Sequence, residues 1–447
     1  MKNQKDENSL GGLSWVRLDL TKEEERILRG KRGKMLQKVM KTVVHYAQAC
    51  GAKKLVPIDG AAHMVISQAF PGLGPRMEMV EELVRAGLRT KWPFTVDPRP
   101  LDFENLALSS RQKRIFQDWY GNQDCYEKRL KRLGLRNESA FTCTCYLPEV
   151  GNIPRKGEVL AWSESSAVIF ANSVLGARTN RNGAIMDLLC NLSGRAPYFG
   201  LLTDEGRRAG WLVEVRTSTL PDPQLLGGAI GKKVQTDVPY IAGLDKFLGR
   251  GLNRKTRDFL KDMGACCAAL GACGLFHVEN ITPEAVKQKW DLLKKDSGRY
   301  VIDDQELRKT RKTYSVLWKN KRAKPKRCLI GCPHLSLEQL NWWVMKIHEA
   351  LRGRGKPKPD IEVALFAAPE VLEEFRKNQR VFGQSIASGI KLSPICIESF
   401  MNNPLVAEEP IITNSNKLRA YTTARFFLDQ EILDIIADRR SKKAGRA

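Results

Sequence analysis

The sequence predicts an α/β fold in which mostly parallel sheets are covered by helices, and three observations carry this prediction. Segments with helical spacing alternate with short apolar runs that are typical of buried strands. Glycine, proline and capping residues stand at the boundaries between these segments. The chain has 447 residues, which is enough for several lobes that each bury a core. Such alternation favours parallel sheets, because parallel strands need a crossover connection, usually a helix.

The elements of the first third follow from local signals. Residues 1–15 are polar and are expected to form a flexible tail. Thr21 and Glu24 make a capping-box pattern before a first helix, and Gly51 is placed to end the next one. Further along, the patterns predict a strand at 54–58, a helix at 77–86, an extended loop around Pro98 and basic helices within 109–135.

Later elements repeat the alternation. A helix is predicted from Arg254 to Gly271, followed by a buried strand in LFHVEN and a helix that begins at Thr282 and Pro283. The strand CLIG precedes Cys332, and Ser336 and Gln339 are expected to cap the next helix. The remaining predictions are a strand in IEVALFA, a helix at 369–379, a strand in IKLSPI that delivers Cys396, and a basic helix or tail at 426–447.

Charge and cysteine content restrict the classes of function. The formal net charge is +24, a field that attracts anions such as phosphorylated metabolites, nucleic acid or acidic protein surfaces. No apolar run approaches the length of a membrane span, and residues 1–12 lack a hydrophobic signal core. Eleven cysteines in a chain of this size do not suggest a secreted disulfide framework. We therefore expect a cytoplasmic protein that binds an anion.

The stretch from Gly157 to Arg181 is rich in small polar residues. Serine, threonine and asparagine stand beside Arg178 with little bulk between them. Such a composition lets backbone and hydroxyl groups converge on a small polar ligand. The alternative is a buried Ser/Ala-rich helix with an end broken by glycine.

Within this stretch, ESSAVIFANSVLGARTNR resembles the signature of the aconitase X family. The segments LVPIDGAAH, TCTCY, FHVENITPEA, IGCPHLSLEQL and ITNSNK accompany it in order. The resemblance implies an aconitase-like catalytic region of several lobes over residues 16–425. It also implies an iron-sulfur hydro-lyase that dehydrates a small anionic hydroxy acid, with phosphomevalonate-like or hydroxyproline-like substrates.

Three cysteines are candidates for metal ligands. They are too far apart for a local zinc or ferredoxin motif, so spacing alone predicts no site. Cys332 and Cys396 follow predicted strands, where ligand sites of α/β sheets collect, and the helix after Cys332 should favour its thiolate. Each could instead be a buried small hydrophobic residue. The resemblance implies that Cys143, Cys332 and Cys396 hold a [4Fe-4S] or [3Fe-4S] cluster.

The resemblance also implies the substrate contacts. Ser173 and Lys417 are the expected catalytic residues, and the expected substrate-binding residues are Ile66, Ser67, Asp97, Pro98, Asn172, Ser173, Arg178 and Lys417. Three positions depart from the family pattern: Val65 replaces a glycine, Asp97 an asparagine and Ala420 a histidine. A carboxylate at 97 adds repulsion toward an anionic substrate, so neither family substrate can be assumed.

Two charged or glycine-rich segments carry weaker signals. GGAIGKK at 227–233 lacks the spacing and the Ser/Thr of a phosphate loop. The segment 308–328 carries many cations. It has three interpretations, namely a solvated surface, a docking face for an acidic partner and a nucleic-acid patch. Nucleic acid is the least favoured of these.

The resemblance also implies a small swivelling domain that closes the site, and we expect the residues after 421 to be too few to form one. No base stands near Asn172 or Ser173 in the sequence, so we expect a separate swivel-domain subunit to supply it. The alternative function is that of a diverged, non-catalytic relative that binds a nucleic acid or an acidic partner.

Overall fold

The structure, a computed structural model, describes residues 17–437. It confirms the predicted α/β class, with helices packed around mostly parallel sheets. The predicted N-terminal tail lies outside the described residues. Among the residues described, no helix is both long enough and apolar enough to cross a bilayer.

The first part of the chain contains short strand pairs among helices. Strands β2 and β3 pair in parallel, as do β4 and β5, whereas β1 and β6 are antiparallel. The elements are α1 (Lys22–Leu28), α2 (Lys34–Ala49), β1 (Leu55–Pro57), β2 (His63–Met64), α3 (Gly74–Arg85), β3 (Thr95–Val96), α4 (Ser110–Tyr120), α5 (Gln123–Leu133), β4 (Val159–Ala161), α6 (Ser165–Phe170), β5 (Arg178–Asn180), α7 (Ala184–Ser193) and β6 (Arg195–Pro197). The predicted capping box of Thr21 and Glu24 is present at α1.

The second part is a parallel four-stranded sheet in the order β10-β7-β8-β9. Its elements are β7 (Ala209–Val215), α8 (Pro223–Val234), β8 (Pro239–Ala242), α9 (Asp245–Leu248), α10 (Arg254–Gly271), β9 (His277–Val278), α11 (Pro283–Gln288), β10 (Leu293–Ile302) and α12 (Asp304–Lys312). Helix α10 has the predicted bounds.

The third part is a parallel five-stranded sheet in the order β13-β12-β11-β14-β15. Its elements are β11 (Arg327–Leu335), α13 (Leu337–Arg352), β12 (Glu362–Ala367), α14 (Pro369–Lys377), α15 (Gln379–Ala387), β13 (Lys391–Ser393), α16 (Ile397–Met401), α17 (Pro404–Ala407), β14 (Ile411–Thr413), α18 (Asn416–Tyr421), β15 (Arg425–Phe426) and α19 (Asp429–Ile436). Ser336 and Gln339 form the predicted capping box of α13.

The end of the described chain differs from the prediction of a basic helix or tail at 426–447. Helix α19 carries Asp429, Glu431 and Asp434 and no lysine or arginine. Its apolar side chains Ile432 and Ile436 are buried in the main core, together with Phe426. Because this apolar face is buried, α19 belongs to the third part of the fold. The basic residues after 438 lie outside the described residues.

The glycine-rich segment 227–233 lies inside helix α8 and does not form a phosphate loop. Its glycines bring α8 against α10, backbone to backbone. A Cβ on Gly227 would stand 2.1 Å from the carbonyl oxygen of Met263, and a Cβ on Gly271 would stand 2.1 Å from that of Gly231. The glycines are therefore required by a close helix crossing.

Candidate active site

A cavity of about 540 Å³ collects residues from the first and third parts of the chain. Most of the residues that line it lie just beyond the carboxyl ends of parallel strands. Val65 follows β2, Asp97 follows β3, Ser163 and Glu164 follow β4, and Arg181 follows β5. In the third part, Cys396 comes three residues after β13 and Lys417 four residues after β14. This is the location expected for a ligand site in an α/β fold.

Cys143, Cys332 and Cys396 all line this one cavity. Cys143 lies in an irregular segment whose Phe141 bridges to Val96. Cys332 lies within β11, where the pairing with β12 shifts register, and Cys396 is the N-cap residue of α16. The fold therefore brings together three side chains that the sequence keeps far apart.

Burial disfavours the thiolate form of these cysteines. It raises the pKa of Cys143 to about 12 and that of Cys332 to about 11, and it also raises the pKa of Cys396. The expected thiolate-favouring effect of the helix after Cys332 is thus outweighed by burial. Metal binding at these sulfur atoms would have to displace their protons.

The cavity offers sulfur, carboxylate and imidazole groups as possible metal donors. Within residues 17–437, no three His, Cys, Asp or Glu side chains converge closely enough to hold one metal ion. The three cysteines share a cavity all the same. Thiolates are the usual ligands of iron-sulfur clusters. The chemistry of these donors therefore fits such a cluster.

Lys417 forms a buried ion pair with Glu164 that was not predicted from the sequence. Its Nζ lies 3.1 Å from Oε1 of Glu164, and the two side chains are 9% and 12% exposed. Burial alone would raise the pKa of Glu164, but Lys417 and His63 outweigh it and lower that pKa to about 2. Burial likewise opposes the charge of Lys417, yet Glu164 helps raise its pKa well above the ordinary value. Lys417 is therefore a proton-holding cation and not a base.

The cavity also holds two carboxylates, Glu164 and Glu398, that were not among the residues predicted from the sequence. Glu398 lines it beside Glu164 and Asp97. Burial raises the pKa of Asp97 to about 7, although Ser67 donates its backbone N–H to Oδ1 of Asp97 at 2.9 Å. Asp97 and Glu398 are therefore candidate bases on this chain itself, beside the expectation that a separate subunit supplies the base. Glu164 stands at the start of the signature stretch, so a search for acids among its small polar residues could have found it.

Not every expected substrate contact reaches the cavity. Asp97, Pro98 and Lys417 line it, whereas Ile66 and Ser67 are fully buried behind its wall. Ser67 donates its hydroxyl to the carbonyl oxygen of Pro98 at 3.1 Å. Of the departures from the family pattern, Val65 lines the cavity, and Tyr421 does so in place of the exposed Ala420.

Asn172, Ser173 and Arg178 lie elsewhere and serve the fold. The Asn172 amide donates to the carbonyl oxygens of Thr179 and Gly274 at 2.9 Å each, and its oxygen accepts the N–H of Thr179 at 3.0 Å. The Ser173 hydroxyl accepts the backbone N–H of Phe276 at 2.9 Å. The guanidinium of Arg178 donates to the carbonyl oxygen of Leu202 at 2.8 Å and to Asp204. Arg181, three residues later, is the arginine of the signature that lines the cavity.

Comparisons with known proteins identify the family of this chain. The family models "Aconitase X first domain" and "Aconitase X second domain" match residues 17–205 and 209–312. The phosphomevalonate dehydratase large subunit of Thermococcus kodakarensis is 35% identical over 350 residues, which is 78% of this chain and 80% of that protein. The cis-3-hydroxy-L-proline dehydratase of Hypocrea jecorina is 27% identical, over 76% of this chain and 54% of that protein.

A solved structure is similar along nearly the whole chain. The crystal structure of Thermococcus kodakaraensis aconitase X in its holo-form superposes with a TM-score of 0.75 at 30% identity. The match covers 93% of this chain and 99% of the other. The chain therefore belongs to the aconitase X family and is a dehydratase, that is, a hydro-lyase, of that family.

Proposed function

We propose that this chain is the large subunit of a cytoplasmic iron-sulfur hydro-lyase that dehydrates a small anionic hydroxy acid. The observation that carries the proposal is the presence of three cysteines and the Glu164–Lys417 ion pair in one cavity. Cys143, Cys332 and Cys396 would hold the cluster. The cluster would supply a Lewis acid that polarises the departing hydroxyl group.

The protein side chains have separate tasks in this proposal. The Nζ of Lys417 holds its proton and faces the cavity as a hydrogen-bond donor for an oxyanion of the substrate. Glu164 keeps this ammonium charged and oriented. Asp97 and Glu398 are the carboxyl groups of the cavity that can take up the proton removed from carbon. Arg181 is a second cation for the substrate's anionic group.

The substrate class rests on the relatives and on charge. The similar proteins are named for phosphomevalonate and for cis-3-hydroxy-L-proline, and both molecules are small, hydroxylated and anionic at one end. The cations Arg76, Arg181 and Lys417 in the cavity suit such an anion. The non-catalytic alternative has no such support. Several cations of the basic segment 308–328 are already paired with acidic residues, including Lys309, Arg311, Lys319 and Lys326.

A partner subunit is part of the proposal. Relatives that resemble most of this chain are named large subunits, which supports a separate small subunit that carries the swivel domain and closes the cavity. We expect the chain alone to turn over little substrate. A partner of about 130 residues, the usual size of one domain, should restore activity.

Anaerobic purification followed by iron and sulfide analysis tests the cofactor. Cys143→Ser, Cys332→Ser and Cys396→Ser should each lose the brown chromophore of the wild type. Cys266→Ser and Cys273→Ser are matched controls, because both cysteines are fully buried and neither lines the cavity. These controls should keep the chromophore. Full cluster content in any of the first three variants would remove that cysteine from the site.

A further inference from the structure

His334 connects the three segments that carry the cavity cysteines. It lies two residues after Cys332 and is 1% exposed. Its backbone N–H donates to Sγ of Cys143 at 3.3 Å. Its ring contacts Oγ1 of Thr142, next to Cys143, at 3.1 Å, and the carbonyl oxygen of Ile395, next to Cys396, at 3.1 Å.

The hydrogen-bond partners determine where the ring proton lies. A carbonyl oxygen can only accept, so Nε2 must donate to Ile395 and carry the proton. A neutral imidazole then has an acceptor at Nδ1, which takes the hydroxyl proton of Thr142. Thr142 in turn accepts the backbone N–H of Thr144 at 3.1 Å and a second contact from the Thr144 hydroxyl at 3.1 Å. Both ring nitrogens of His334 and the hydroxyl group of Thr142 therefore have hydrogen-bond partners.

His334 is itself held in place from a fourth direction. The Nζ of Lys261, on α10, donates to the backbone carbonyl oxygen of His334 at 3.2 Å. Lys261 is 2% exposed and pairs with Asp262 at 2.8 Å. All four polar groups of His334 are thus engaged, and three of the bonds lead to cysteine-bearing segments.

We propose that His334 is the positioning residue that holds the three cysteine segments in register with one another, so that the sulfur ligands stand in place before a cluster is bound. This inference rests on the cluster assignment of the proposed function. Ligand segments from three loops would otherwise have to be ordered when the cluster binds, which lowers the affinity of the site. The ring acts through hydrogen bonds and is not a ligand.

The test compares two variants that remove different parts of this arrangement. His334→Gln shortens the bridge between Thr142 and Ile395, whereas Thr142→Val removes one hydroxyl and leaves the histidine in place. His277→Gln is the matched control. His277 is also 1% exposed and its Nε2 donates to a backbone carbonyl, that of Arg207, at 2.8 Å, but it lies outside the cavity.

The first measurement needs no cluster. Amide hydrogen exchange of the apo chain should become at least tenfold faster in residues 142–145 and 394–397 of both test variants. The control should leave these two segments unchanged. The second measurement is the rate of cluster loss under a chelator after anaerobic reconstitution, followed by absorbance and by the electron paramagnetic resonance signal. It should rise at least tenfold in both test variants and stay at the wild-type value in the control.

The outcomes separate this inference from the proposed function. One outcome is that the wild type binds no iron and sulfide while amide exchange is faster in both test variants. This outcome would overturn the proposed cluster and support the structural role of His334. The other outcome is a wild type that binds iron and sulfide normally, together with test variants whose rates of amide exchange and cluster loss equal those of the wild type. This outcome would overturn the role of His334 alone. If His334→Gln fails to fold, Thr142→Val decides the question by the same two measurements.

Discussion

Replacing Glu164 by glutamine removes one charge from the buried ion pair with Lys417 and keeps the shape of the side chain. The amide oxygen can still accept the hydrogen bonds that Ser166 and Lys417 give to Oε1. What is lost is the charge that stabilises Lys417, whose side chain is 9% exposed. The variant therefore isolates the electrostatic part of the pair.

The size of the effect follows from the pKa of Glu164. One pKa unit corresponds to about 1.4 kcal/mol, so a lowering from 4.5 to about 2 amounts to about 3 kcal/mol in favour of the charged form. Loss of one partner of a buried pair typically costs about 3–5 kcal/mol, because the other charge is left uncompensated. We expect Glu164→Gln to lower the free energy of unfolding by about 3 kcal/mol at neutral pH.

Urea denaturation of the apo chain, followed by circular dichroism, measures this loss. A double-mutant cycle with Lys417→Met isolates the pair, and its coupling energy should be at least about 2 kcal/mol. Glu349→Gln is the control, because Glu349 and its partner Lys346 are 62% and 42% exposed, and such a pair contributes little. A coupling energy near that of the control pair would refute the claim that the Glu164–Lys417 pair is electrostatically strong.

Three further predictions concern the ligand, the pH and the partner. At a pH above the Asp97 pKa of about 7, where this side chain is ionised, Asp97→Asn should bind phosphomevalonate about tenfold more tightly than the wild type, or about 1.4 kcal/mol, because it removes a negative charge from the cavity; equal dissociation constants by calorimetry at that pH would contradict this. Because burial lowers the pKa of His277 from 6.5 to about 4, the unfolded chain binds a proton that the native chain refuses, and stability falls as pH drops through this window. The free energy of unfolding of the wild type relative to His277→Gln should therefore fall by about 3 kcal/mol between pH 7 and pH 4, and a constant difference would show that His277 takes up a proton without cost. If the basic segment 308–328 contacts the small subunit, the affinity measured by ultracentrifugation should drop as salt rises from about 50 to about 300 mM; a salt-independent affinity would place the contact elsewhere.

The regular elements were predictable because their signals are local. The bounds of α10 follow from its helical spacing and its final glycine, and the capping boxes at Thr21 and Ser336 need only neighbours three residues away. The metal-ligand candidates Cys143, Cys332 and Cys396 were a different case. Their spacing predicts no site, and they were selected only because their segments resemble those of the aconitase X family. Their common cavity depends on how strands of different sheets are arranged, which no local pattern encodes.

There is a physical reason why some residues expected to contact the substrate, such as Asn172, lie outside the cavity. A buried amide such as Asn172 needs hydrogen-bond partners, and a sequence cannot tell whether those partners are a ligand or the backbone. Asn172 finds them in Thr179 and Gly274. The Glu164–Lys417 pair was missed for the converse reason, because its members are 253 positions apart and meet only once the fold is formed.

The close glycine contacts between α8 and α10 bear on how far the cavity wall next to these two helices can move. Helix α8 holds the cavity wall through Gln224, which donates to the carbonyl oxygen of Cys332 at 3.2 Å, and α10 holds it through Lys261. At Gly227, Gly231 and Gly271 the two helices approach each other through backbone atoms, so a sliding motion there would bring backbone against backbone. We therefore expect this side of the cavity to move little. In the proposed complex, opening and closing of the site during turnover would come from the small subunit.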